Sequence, residues 1–151
     1  MSSYSIPRRT FGRHKDEVSL LGWGGFHVGV PDEDEGIRLL HQALDAGVNF
    51  LDNAWEYNAG ISEMRMGKAL KAWSGTRDDY FLMTKDCAHD RRAQNSLGKL
   101  EQSLKRLQVS YLDAWLLHEC VWPEDPDRIF APGGSAESLR SEEHTSELQS
   151  H

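Results

Sequence analysis

Cysteine is scarce: Cys87 and Cys120 are the only two in 151 residues. Two are too few for a disulfide framework in a chain of this size, which predicts a reduced, cytoplasmic setting. No apolar run approaches the roughly 20 residues of a membrane-spanning helix. Apolar residues make up 38% and charged residues 27%, the balance of a soluble domain with its own core. Positive charge is also short, with 17 Lys and Arg against 24 Asp and Glu and a net charge of −7. With no basic cluster, neither nucleic acid nor an anionic membrane is expected as a partner. Arg8-Arg9-Thr10-Phe11 superficially fits a twin-arginine export signal. Charged residues follow it where such a signal needs an apolar segment.

A glycine-rich phosphate loop is missing as well. A dinucleotide fingerprint begun at Gly22 would need glycine where His27 stands, and the Gly24 to Gly29 spacing of a P-loop lacks the following Lys-Ser/Thr pair. The glycines of Leu21-Gly22-Trp23-Gly24-Gly25-Phe26 instead predict a strand end whose backbone passes close to a neighbour or a ligand.

What the chain does contain is alternation. Residues 1–17 read as a hairpin with its turn near Gly12. Strands are predicted near 18–24, 48–52, 80–85 and 112–117, short and apolar as expected where both faces are buried. Between them lie helical stripes: Ile37, Leu40 and Leu44 after an Asp32 cap; Met66, Ala69, Leu70 and Trp73 after a Ser62 cap; and Leu97, Leu100, Leu104 and Leu107. Pro123, Pro126 and Pro132 punctuate a long loop before a further helix at Ser135. Four strand–helix units predict a parallel α/β fold with helices on one side only, although periodicity alone does not separate an open sheet from a closed barrel. The uncovered face and the edge of the last strand are expected to be apolar and exposed, making the isolated chain prone to self-association.

Three of the strands end on polar residues. Asp52 closes Val-Asn-Phe-Leu-Asp with Tyr57 just beyond it, Lys85 closes Tyr-Phe-Leu-Met-Thr-Lys, and His118 closes Leu-Asp-Ala-Trp-Leu-Leu-His. Parallel strands deliver such residues to one rim, so an acid, a phenol, an amine and an imidazole meet there. Carbonyl reduction needs a hydride at carbon and a proton at oxygen. Tyrosine is a poor acid near neutrality, with a reference pKa of about 10, and a nearby ammonium favours its phenolate. Lys85 can supply that ammonium, Asp52 can hold it charged, and His118 can orient the carbonyl.

These segments, Asp-Asn-Ala-Trp-Glu-Tyr (52–57), Phe-Leu-Met-Thr-Lys (81–85) and Trp-Leu-Leu-His (115–118), with Leu-Gly-Trp-Gly-Gly (21–25) after a hairpin, resemble the aldo-keto reductases. The resemblance covers residues 6–139. It implies a (β/α)8 TIM barrel floored by the hairpin, with NADPH as cofactor, or NADH, and a small carbonyl compound as substrate. It assigns Tyr57 as general acid, Lys85 and Asp52 as its tuners, and His118 as the substrate-orienting group. Gly25, Phe26 and Asp52 fall at the nicotinamide end of the cofactor. Such a barrel typically takes about 250 residues, so the chain reads as the first half, truncated after about four βα units and inactive alone. Residues 140–151, RSEEHTSELQSH, resemble a translated DNA-sequencing adapter. The expected division is therefore 1–139 as barrel half and 140–151 as adapter-derived tail, with a genuine acidic helix as the other reading of the tail.

Three other readings compete. Cys87-x-His89 and His118-x-Cys120 could hold zinc with two thiolates and two imidazoles, but His118 is better used with Tyr57, and no metal is expected. A metal-dependent hydrolase on a similar barrel would want a His-x-His pair at the first strand, where Leu21-Gly22-Trp23-Gly24 offers none. Some relatives, such as potassium-channel β subunits, keep the four residues while serving as binding or regulatory partners. Trp55 and Trp122, in rim loops, are candidates to line a pocket.

Overall fold

Gly12, at a φ of +65°, makes the reversal that lets β1 (Arg8–Phe11) pair antiparallel with β2 (Asp16–Ser19). The computed structural model describes residues 5–141. The expected first strand over 18–24 is split in it. Val18 and Ser19 belong to the hairpin, Ser19 Oγ donates to the Leu21 carbonyl at 2.7 Å, and only β3 (Gly22–Gly24) enters the main sheet. A hydroxyl bonding two residues ahead turns the chain where an unbroken ladder would have run straight.

From there strands and helices alternate. Helix α1 (Glu33–Asp45) buries Leu40 and Leu44 and stops before Gly47, whose φ is +96°. Asp32 occupies its cap position without a side-chain capping bond, and Glu33, Asp34 and Glu35 in the first turn complement the helix dipole. Strand β4 (Phe50–Asp52) leads to α2 (Ile61–Ala72), capped by Gly60 at φ 89° rather than by Ser62. Ser62 lies inside the helix, where its Oγ accepts from Asn58 Nδ2 at 2.9 Å. Strand β5 (Phe81–Asp86), helix α3 (Ala93–Leu107) and strand β6 (Ala114–Leu117) complete the pattern. The segment expected to be a loop contains a short helix, α4 (Asp125–Phe130), with Pro126 in its first turn, where a missing N–H breaks no helical bond. Residues 135–141 are helical, as expected from Ser135 onward. The adapter-like tail lies outside the described residues from 142 onward.

The four strands are parallel and ordered β3-β4-β5-β6. Register sorts their side chains. Leu51 pairs with Leu82, and both are fully buried against Leu40, Leu44, Met66, Leu70 and Leu107 from the three helices. Each such leucine contributes roughly 1.5–3 kcal/mol. Phe50 pairs with Phe81 on the other face, where Phe11 from the hairpin sets its ring 5.4 Å from both. Helices thus cover one face and the hairpin closes the base of the other, an arc of four units from a (β/α)8 barrel. The edge strand β6 leaves Leu116 exposed on the uncovered face. Among the described residues, no helix is long and apolar enough to cross a membrane.

Gly67 marks the crossing of α2 over α3. A Cβ there would stand 2.7 Å from the Leu107 carbonyl carbon and closer still to the Arg106 carbonyl oxygen, so the helices meet backbone to backbone. Gly67→Ala gains about 1 kcal/mol of helix propensity and loses more to overpacking, typically 1–3 kcal/mol or beyond. We expect a net loss of about 2 kcal/mol in a full-length barrel carrying this segment, read from urea unfolding. An unchanged midpoint would refute the close crossing.

Candidate active site

The rim is built by β-strand register. Asp52 ends β4 opposite Met83, and Lys85 stands two residues further along β5 on the same face. Lys85 Nζ donates to Asp52 Oδ1 at 2.6 Å, to the Asn53 carbonyl at 2.8 Å and to Tyr57 Oη at 3.2 Å. All three ammonium donors are used. The Lys85 side chain is only 13% exposed, so this cation is removed from water and answered by a carboxylate at hydrogen-bond distance.

Tyr57 follows a tight turn in which its N–H donates to the Ala54 carbonyl at 3.1 Å. Its ring sits edge-on between Phe26, at 5.4 Å and 90°, and His118, at 5.5 Å and 76°. The next two residues, Asn58 and Ala59, have φ of 51° and 54°. Asparagine tolerates that conformation, whereas alanine loses about 1–2 kcal/mol there. Asn58 uses it to donate from Nδ2 to the Phe26 carbonyl at 2.7 Å, tying the first loop to the Tyr57 segment. Gly25 is buried below, and a Cβ on it would come within 2.6 Å of the Asp52 carbonyl oxygen. The close approach expected of these glycines is therefore to the end of β4.

His118, just after β6, meets a residue the sequence reading passed over. Its Nδ1 lies 2.6 Å from Glu56 Oε1, while Arg91 grips the main chain through the His118 carbonyl at 2.6 Å and the Glu119 carbonyl at 3.2 Å. Burial pushes the Glu56 carboxyl up, but hydrogen bonds from His118, Cys87 and the Ala88 N–H bring it below the usual carboxylate range. An ionised Glu56 fixes the His118 proton on Nδ1 and leaves Nε2 for another partner. Glu119, the acid adjacent to His118 in sequence, is exposed. The only sequence signal for Glu56 was its position one residue before Tyr57.

The structure does not assemble the four-residue zinc set. Cys120 is exposed and His118 is engaged by Glu56. Cys87 and His89 instead turn to Glu56 Oε2, at 3.3 and 3.2 Å. Burial pushes the Cys87 thiol up, and the neighbouring Glu56 adds to this. Trp55 faces α3 rather than a pocket, donating to Gln102 Oε1 at 3.1 Å with the Arg106 guanidinium 5.2 Å from its ring. Trp122 is 68% exposed.

Below the rim, on the helix side of β5, two buried polar groups also escaped the sequence reading. Glu63 accepts from Thr84 Oγ1 at 2.7 Å and from Arg106 at 3.2 Å. Asp86 accepts from Ser96 Oγ at 2.6 Å and from Lys99 Nζ at 3.0 Å.

The chain is similar to known proteins over most of its length. The model of the Aldo/keto reductase family matches residues 20–148. Aldo-keto reductase YhdN of Bacillus subtilis is 36% identical over 124 residues, 75% of this chain and 36% of the relative. L-galactose dehydrogenase of Arabidopsis thaliana is 32% identical over 123 residues, 76% of this chain and 38% of the relative. Among solved structures, an aldo/keto reductase from Klebsiella pneumoniae in complex with NADP and acetate superposes with a TM-score of 0.66 at 27% identity, covering 86% of this chain and 47% of that one. The chain thus spans 36–47% of the length of these three proteins.

Proposed function

Because the chain belongs to the aldo/keto reductase family, an oxidoreductase family, we propose that it carries the acid–base half of an NAD(P)H-dependent carbonyl reductase acting on aldehydes or ketones. The observation that carries this reading is Lys85 Nζ bonded at once to Asp52 and Tyr57, with His118 against the other edge of the Tyr57 ring. Tyr57 Oη gives its proton to the carbonyl oxygen as that oxygen becomes an alkoxide. The phenolate left behind is met by the Lys85 ammonium, which Asp52 pairs with and holds in position. His118, fixed by Glu56 and packed edge-on to the Tyr57 ring, borders the place of the carbonyl oxygen and orients it there.

A bound nicotinamide cofactor supplies the hydride. The residues present fit its reactive end. Phe26, 48% exposed, offers an apolar ring beside Tyr57, and Gly25 brings the first loop onto Asp52 without a side chain between them. These three residues would border the nicotinamide. The rest of the dinucleotide falls to the second half of a full-length barrel, as does the shaping of the substrate pocket. NADPH is favoured by the likeness to a solved NADP complex. A cytoplasmic setting fits the two free cysteines.

The test is turnover. A full-length barrel carrying residues 1–139 is expected to oxidise NADPH on addition of an aldehyde. The 151-residue chain alone is expected to show negligible turnover and to run as self-associated species on size exclusion. A full-length protein that binds NADPH and reduces no aldehyde or ketone would favour the non-catalytic, regulatory role instead.

A further inference from the structure

Beside the proposed reductase residues, and independent of that reading, lies a second cluster with its own chemistry. Glu56, Cys87 and His89 are the one group of three metal-competent side chains among the described residues whose ligand atoms all lie within 4.8 Å of one another. Their separations are specific: Cys87 Sγ to His89 Nδ1 is 3.7 Å, Cys87 Sγ to Glu56 Oε2 is 3.3 Å, and His89 Nδ1 to Glu56 Oε2 is 3.2 Å. Around a tetrahedral zinc ion, with bonds of about 2.3 Å to sulfur and about 2.0–2.1 Å to nitrogen and oxygen, ligand atoms stand roughly 3.3–3.6 Å apart. The three edges of one tetrahedral face are thus nearly in place.

We propose that Glu56 Oε2, Cys87 Sγ and His89 Nδ1 bind one divalent zinc ion, with water in the fourth position. The charges suit it. A thiolate and a carboxylate neutralise a 2+ ion, and thiolate with imidazole selects a borderline-soft metal over magnesium or calcium. On binding, the Cys87 thiol loses its proton to solvent, Glu56 enters ionised, and His89 enters neutral with its proton on Nε2. The loop backbone is ready for the thiolate, since the His89 N–H already donates to Cys87 Sγ at 3.4 Å. His89 keeps Nδ1 on the cluster although its side chain is 83% exposed, so the open side of the site faces solvent and an ion can enter. Glu56 is shared, with Oε1 on His118 and Oε2 on the cluster. Metal binding through Oε2 therefore pins the carboxylate whose Oε1 holds the His118 imidazole.

The experiment is a titration of the chain with Co²⁺, followed by Zn²⁺ displacement, with native mass spectrometry for stoichiometry. The expected result is one ion per chain, a near-ultraviolet thiolate-to-cobalt band and visible bands of tetrahedral strength, all removed by Zn²⁺. His89→Ala and Cys87→Ser should each weaken binding by more than the roughly 10–100-fold typical of losing an outer partner. Cys120→Ser should change nothing. His89 is a surface residue, so its variant reports ligation rather than unfolding, and circular dichroism checks Cys87→Ser. Weak octahedral bands without a thiolate band, binding that survives His89→Ala, or binding lost with Cys120→Ser would each overturn the assignment.

Discussion

Tyr57→Phe, in a full-length barrel carrying this segment, is expected to lower kcat for carbonyl reduction by about 10²–10⁴-fold, the usual contribution of a positioned acid. Binding of NADPH should stay nearly unchanged. The separation follows from what the substitution touches. Phenylalanine keeps the ring that packs edge-on to Phe26 and His118, so the walls of the site persist. Lys85 loses its longest bond, at 3.2 Å, and retains Asp52 at 2.6 Å and the Asn53 carbonyl at 2.8 Å, so the cation stays satisfied. Only the proton donor is removed. A loss of that kind lowers kcat and kcat/KM together, because the interaction matters in the transition state and little in the ground state. Full activity in Tyr57→Phe would remove Tyr57 from the role of acid. A fall confined to cofactor affinity would make the residue part of the binding wall instead.

The proximity of Asp52, Tyr57 and Lys85 was legible because it depends on few things. Parallel strands place their ends on one rim, alternation along β4 and β5 puts Asp52 and Lys85 on one face, and a short turn returns Tyr57 to them. Helix stripes were legible for the same reason: Leu40, Leu44, Met66 and Leu107 repeat at helical spacing and do enter the core. The partner of His118 was not legible. Glu56 is 62 residues away in sequence, and no local pattern says that it, rather than the adjacent Glu119, turns towards the imidazole.

Local chemistry also misled where two donors competed. Ser62 had the right type for a helix cap, yet Gly60 took that position because the chain arrives there with a positive φ after Asn58 and Ala59. Ser19 and Leu21 read as one strand with Gly22 until the Ser19 hydroxyl bond to the Leu21 carbonyl turned the chain. The prolines before residue 133 suggested a loop, and Pro126 proved to open α4. In α3 the leucine stripe concealed a polar one. Ser96, Lys99 and Ser103 are buried beside Leu100 and Leu107, since the helix packs against a strand that presents Asp86.

That buried acid gives the largest expected effect on stability. Asp86→Ala should destabilise a full-length barrel by about 3–5 kcal/mol, the range for removing one partner of a buried ion pair. Asp86 is fully buried, and its carboxylate accepts from Ser96 Oγ at 2.6 Å, Lys99 Nζ at 3.0 Å and the Cys87 N–H at 2.8 Å. Truncation leaves Lys99, itself 7% exposed, with no carboxylate partner, only the Asp90 carbonyl at 3.0 Å and the face of the Trp55 ring at 5.9 Å. Lys85, one residue earlier on β5, points to the opposite face, so the lost stability should come without displacement of the Tyr57 pair. Replacing both partners, Asp86→Ala with Lys99→Met, should recover much of the loss, because an apolar pair carries no orphaned charge. Urea unfolding of the two single variants and the double variant measures the coupling directly. A single variant within about 1 kcal/mol of the parent would show that water reaches Lys99 after all. A double variant no better than Asp86→Ala alone would locate the loss in Ser96 and the Cys87 N–H, the other two donors that Asp86 holds.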